Sequence, residues 1–160
     1  MSRAPGKVRI IAGVLKGRGL QVPRGRAVRP MRSRIRESLF SILGDRVLGA
    51  CFLDVFAGSG AIGLEAISRG ARHAVLVESD PQVLEILKHN VAALNVDASV
   101  QVSAFDIYQR PLPKWDPFQI LFLDPPFANY DQEERDPWQL AFRLAGDELL
   151  SPGATIGLEA

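Results

Sequence analysis

The stretch CFLDVFAGSGAIGLEAISRGA, residues 51–71, decides the fold. A short apolar run leads into a turn with glycines at 58 and 60, and from about Ala61 the pattern turns helical until Gly70 closes it. Strand, glycine turn and helix form the first half of a βαβ unit, and the chain downstream continues in kind. HAVLVESD (73–80) reads as a second buried strand, after which Asp80 is an N-cap and Pro81 the first residue of a helix. Val83, Leu84, Leu87, Val91 and Leu94 make that helix's apolar stripe and Asn95 its C-terminal cap. ASVQVSAFD (98–106) is a third strand. The proline-interrupted IYQRPLPKWDPF (107–118) leads to a fourth, QILFLD (119–124), then WQLAFRLAGDELL (138–150) reads as a helix and GATIGLEA (153–160) as a fifth strand. Strands alternating with helices predict an α/β, Rossmann-like, doubly wound and mostly parallel sheet, with ligands beyond the carboxyl ends of its strands.

Upstream, KVRIIAGVLKGRGLQVP (7–23) reads as a β-hairpin with a basic loop and RGRAVRP (24–30) as a linker. From Met31 the spacing predicts a helix ending at Gly44. Ile35, Leu39, Ile42 and Leu43 form its inward face, and Arg32, Arg36 and Glu37 lie opposite. Residues 1–30 are thus a basic tail, hairpin and linker, and 31–160 a single α/β domain.

At 160 residues, 47% apolar and 23% charged, the chain suits one globular core. It has no cleavable signal pattern and no apolar run near the roughly 20 residues of a membrane helix, so a cytoplasmic protein without membrane attachment, acting as a monomer, is expected. Cys51 is expected in a buried strand, and the isolated His73 and His89 offer no metal-ligand spacing; no metal is expected.

Charge is distributed unevenly. Residues 1–36 hold eleven of the nineteen basic residues and no acidic one, while the other 124 hold eight basic against eighteen acidic residues, a balance of −10. A dense single-sign cluster rich in arginine suits phosphates, so nucleic acid is the first partner to consider. Lys16, Arg18, Arg24, Arg26, Arg29 and Arg32 are the candidate nucleic-acid contacts, and the family resemblance drawn below implies that the nucleic acid is RNA.

Four acidic or glycine-rich features end at one sheet edge: Asp54 with the turn Phe56, Ala57, Gly58, Ser59 and Gly60; Glu78 with Ser79; Phe105 with Asp106; and Asp124. With Gly63, the turn reads G-x-G-x-x-G, which alone is a weak signal. Glu78, twenty residues after Gly58, can accept from both hydroxyls of a ribose. Asp54 before the turn would repel a pyrophosphate but suits an ammonium group, which favours S-adenosylmethionine (SAM) over a dinucleotide. Asp106 is the candidate partner of the adenine amino group.

FLDPPF (122–127) supplies the chemistry. Two prolines force the chain out of the sheet as a stiff extended loop. An exocyclic amino group on a nucleobase is a poor nucleophile because its lone pair is delocalised into the ring. Asp124 can draw on its N–H, the carbonyls of Pro125 and Pro126 can take the second N–H, and Phe127 offers a face on which an extruded base stacks.

DVFAGSGAIGLEAISRGA, VES and LFLDPPF, with the upstream RIIAGVLKGRGLQVP, RP and RIRESLFSIL, together resemble the RsmD-type bacterial 16S ribosomal RNA guanine-N2 methyltransferases. The resemblance implies a class I methyltransferase fold, SAM as methyl donor, Asp124 to Phe127 as catalytic loop, and one guanine of the small-subunit RNA in an assembling 30S particle as target. The chain departs from the family pattern at Gln119, where an acidic residue is frequent, and at Met31, where a Thr is. Class I methyltransferases continue past strand five with an antiparallel hairpin, so the sequence is expected either to be a truncated form or to have the missing edge supplied in some other way. Two further readings stay open: an adenine-N6 DNA methyltransferase, which shares the Asp-Pro-Pro-aromatic motif, and a non-catalytic RNA-binding assembly factor.

Overall fold

The N-terminal segment opens with β1 (Val8–Arg9) and β2 (Gly19–Leu20), an antiparallel pair that forms only the base of the expected hairpin. Helix α1 (Ser33–Leu43) follows, continued by a short 3₁₀ turn (Gly44–Val47), and then the alternating series: β3 (Cys51–Asp54), α2 (Ala61–Ser68), β4 (His73–Glu78), α3 (Pro81–Ala93), β5 (Val100–Ala104), β6 (Phe118–Leu123), α4 (Pro137–Gly146) and β7 (Leu150–Leu158). This is a computed structural model, and it describes residues 8–23, 33–108, 113–126 and 135–159. Among them no helix is long and apolar enough to cross a membrane.

The five strands of the main sheet are all parallel, in the order β5-β4-β3-β6-β7. The direction of winding reverses between β3 and β6, so the crevice at their carboxyl ends is the topological switch point. Helices cover both faces: α1, α2 and α3 pack with Phe52, Leu76, Ile120 and Phe122, while α4 packs with Leu53, Val75, Leu121 and Leu123. Local signals behave as expected. The Asp80 side chain accepts from the N–H groups of Gln82 and Val83 ahead of Pro81, Asn95 closes α3 at φ 56°, and Cys51 is buried.

The inward face of α1 differs from the expected one. Arg36, Phe40 and Leu43 point inward, whereas Ile35 and Ile42 are 44% and 75% exposed. The cause lies on α2. Glu65 is fully buried, and its carboxylate accepts from the backbone N–H groups of Ile11 (2.8 Å) and Ala12 (3.0 Å) and from Arg69 Nε (2.8 Å). Arg36, itself only 1% exposed, brings Nε within 3.5 Å of it and donates from Nη2 to the carbonyl of Arg9. A buried carboxylate demands a countercharge, and that demand outweighs the burial of two more isoleucines. Ser68 completes the dock, accepting from Leu15 N–H at 2.9 Å (Oγ) and from Val14 N–H at 2.8 Å (backbone carbonyl).

Candidate active site

The glycine turn joins β3 to α2. Gly60, at φ 86°, sits where an added Cβ would come within 2.6 Å of Leu87, and Gly63 lets α2 lie so close to β4 that a Cβ there would meet Leu76 at 2.2 Å. Both glycines permit the turn and its packing. Gly58 differs: its φ is 56° and nothing stands within 4 Å of where a Cβ would be, so the turn's backbone faces open space there. Ala57 N–H donates to the Val77 carbonyl at 2.9 Å, and the Ser59 carbonyl accepts from Asn90 Nδ2 at 2.8 Å. Asn90 also bridges the N–H and carbonyl of Gln21, joining the turn to the N-terminal segment.

Glu78 is held by three backbone donors. Oε2 accepts from Gly58 N–H at 2.9 Å, and Oε1 from the N–H groups of Ser79 and Asp80 at 2.9 and 2.8 Å. A carboxylate has about four acceptor positions, so Oε2 keeps one beside the turn. Asp54 is 1% exposed, and among the described residues the one hydrogen bond to its carboxylate is from Phe56 N–H at 3.2 Å. Burial pushes its carboxyl up to about 8, helped by the charges of Asp124 and Glu78. A buried acid with no cationic partner among the described residues fits a cationic ligand.

Asp106 and Phe105 are less open than expected. Asp106 Oδ2 pairs with Arg135 Nη2 at 2.8 Å and Oδ1 accepts from Tyr108 N–H at 3.0 Å. Arg135 stacks over the Tyr108 ring, which lies 5.8 Å from Phe56. Phe105 packs against Trp115 beside the α4-side core. Asp124 leaves β6 half-buried, followed by buried Pro125 and exposed Pro126. Its carboxyl is pushed up to about 6 by burial and by the charge of Glu159. Phe127 and Arg24, Arg26, Arg29 and Arg32 lie outside the described residues. Lys16 and Arg18 are exposed on the docked loop, and Arg18 donates to the Ala93 carbonyl at 2.8 Å.

The carboxylates of Asp54, Glu78, Asp106 and Asp124 therefore converge at one sheet edge, as their strand-end spacing predicts. Asn90, Tyr108, Arg135 and Glu159 join them, although the sequence reading does not single them out. Only Glu159 carries a usable signal: TIGLE ends like FLD and LVE, an apolar run closed by an acid. Among the described residues no cluster of three His, Cys, Asp or Glu could hold a metal ion.

Sheet order, glycine turn and strand-end acids define the Rossmann-like fold of the class I methyltransferases. The chain belongs to the family described as Conserved hypothetical protein 95, matched over residues 8–160, in agreement with the RsmD-type resemblance of its motifs. It is 43% identical over 129 residues to Ribosomal RNA small subunit methyltransferase D of Escherichia coli (strain K12), covering 81% of this chain and 65% of that protein. The Haemophilus influenzae protein of the same name is 36% identical over 160 residues, covering 98% of this chain and 80% of that one. Among solved structures, a putative methyltransferase yhhF from Escherichia coli superposes with a TM-score of 0.80 at 37% identity, covering 97% of this chain and 81% of the other. The match to the first of these proteins thus spans just under two-thirds of its length.

Proposed function

We propose that the protein methylates the exocyclic N2 amino group of a guanine in 16S ribosomal RNA, with SAM as methyl donor and the small ribosomal subunit as substrate. The observation that carries this reading is the convergence of the open Gly58 turn, Glu78 and buried Asp54 with the Asp124-Pro125-Pro126 loop at the switch point. Bound SAM would supply an electrophilic methyl group. The residues suited to hold it are Glu78 at the ribose hydroxyls, Gly58 and its neighbours along the turn, and Asp54 at the ammonium group. Asp54 would ionise as it gains that partner, releasing a proton on binding. The ion pair of Asp106 with Arg135 fits it to tie the end of β5 to the start of α4 as much as to contact adenine.

Asp124 accepts an N–H of the amino group, Pro125 and Pro126 keep the loop rigid, and Phe127 stacks on the base. The ionised carboxylate of Asp124 is the acceptor strong enough to draw on the N–H, and protonation weakens it. Because its carboxyl is raised to about 6, turnover should fall about tenfold per unit of pH below about 6 and level off above it. A rate profile between about pH 4.5 and 8 checks this, and an acid limb near the ordinary aspartate value of about 4 would count against Asp124 as the acceptor.

The basic arm supports an RNA partner. Neutralising Lys16, Arg24, Arg26 and Arg29 together should weaken RNA binding and lower the slope of log affinity against log salt by about one unit for each phosphate that is no longer neutralised. An unchanged slope would assign the arm to solvated surface. Methyl transfer to unmodified small subunits, protein-free 16S RNA and duplex DNA in parallel tests the substrate class. Label in ribosomal RNA alone is expected, and label in DNA would favour the adenine-N6 reading.

A further inference from the structure

β7 ends beside β6 in a register that matters for the site. Leu123 pairs with Leu158, and the N–H of Glu159 donates to the Leu123 carbonyl at 3.0 Å, so Glu159 stands next to Asp124 across the sheet edge. Side chains two residues apart share a face of a strand. Phe122 and Gly157 are a register pair on one face, where a Cβ on Gly157 would come 3.0 Å from the Phe122 ring. Asp124 and Glu159 each follow two residues later. On β3, Asp54 pairs with Phe122 and so lies on that same face one pleat short of Asp124, leaving Asp124 and Glu159 as the two acids that stand level on adjacent strands. Like charges side by side destabilise a sheet edge, and burial raises the Glu159 carboxyl while its charge helps to raise that of Asp124. A paired acceptor of this kind suits a ligand that presents two adjacent donors.

Among the nucleobases that carry an amino group, only guanine has an N–H donor next to it, at N1. Adenine and cytosine present a bare ring nitrogen, an acceptor, beside theirs. We infer that Glu159 is a specificity-determining residue whose carboxylate accepts the N1–H of the target guanine while Asp124 accepts from the N2 amino group. This rests on the reading of Asp124 as the amino-group acceptor. It supplies what the Asp-Pro-Pro-aromatic motif lacks, a means of choosing between guanine and adenine: an acceptor facing adenine N1 would meet another acceptor, and unpaired polar groups in a closed site discriminate strongly.

The test uses 16S RNA carrying either guanine or 2-aminopurine at the mapped methylation position, reconstituted into small subunits. 2-Aminopurine keeps the amino group and replaces N1–H by an acceptor. Wild-type protein should prefer guanine by about 100-fold or more in kcat/KM. Glu159→Gln, whose amide can donate to N1, should narrow that preference to below about 10-fold, chiefly by gaining on 2-aminopurine. Glu159→Ala should also narrow it, but without that gain. SAM affinity and thermal unfolding of both variants, measured alongside, identify any loss of fold. An unchanged preference in folded Glu159→Gln and Glu159→Ala overturns the role of Glu159 and leaves that of Asp124 standing. Failure of the wild-type protein to methylate the guanine substrate overturns both.

Discussion

Replacing Asp124 by alanine is expected to lower methyl transfer at saturating SAM by a factor of about 10³ or more, while SAM affinity stays within a few-fold of wild type. The size follows from two losses at one position: the acceptor that draws on the amino N–H, typically about 10² to 10⁴ in rate, and the orientation of the base in line with the methyl group. The rigid Pro125-Pro126 loop would remain, but with nothing to hold the amino group. Affinity is spared because the Glu78 carboxylate and the Gly58 turn are held by the N–H groups of Gly58, Ser79 and Asp80, none of which involves Asp124. Single-turnover rates and calorimetric SAM binding, measured together, check the prediction. Weakened SAM binding with unchanged turnover would reassign Asp124 to the cofactor.

The largest effect on stability is expected at Glu65. It ties the N-terminal loop, α1 and α2 together through Ile11, Ala12, Arg36 and Arg69 while lying fully buried. Glu65→Ala would strand the Arg36 guanidinium, 1% exposed, without its countercharge, a loss of about 3–5 kcal/mol. Two backbone donors would also be left without an acceptor. Against a total of roughly 5–15 kcal/mol this is severe, and the midpoint of urea unfolding should fall accordingly. Glu65→Gln, which keeps the shape and one acceptor oxygen, should cost less than alanine. A loss below about 1 kcal/mol for Glu65→Ala would mean that the N-terminal loop docks by other means.

These two residues show what is legible in the sequence. Asp124 stands at the end of an apolar run before two prolines, and every rule that locates it is local. So are those for Asp80, Pro81 and the glycine turn, and the parallel sheet follows from the alternation of strands and helices. Glu65 and Arg36 obey a different logic. Periodicity assigns charged residues on a helix to solvent, and the partners that reverse this lie far along the chain: Ile11 is 54 residues from Glu65. One sign is available, since Glu65 is the lone charge in the apolar AIGLEAIS and such a helix can bury it only with a partner. Asp106 falls at the expected edge, but its pairing with Arg135, 29 residues away, is encoded in neither residue's neighbourhood. Glu159 is set beside Asp124 only by the register of β6 and β7, which no local pattern encodes.

The measurement closest to the central claim is the identity of the methylated nucleoside. Unmodified small ribosomal subunits would be incubated with labelled SAM and the protein, and their RNA digested and separated. The account predicts label in N2-methylguanosine from 16S RNA, and none when Asp124→Ala replaces the wild type. Label in N6-methyladenosine, or equal label with the Asp124 variant, would contradict it.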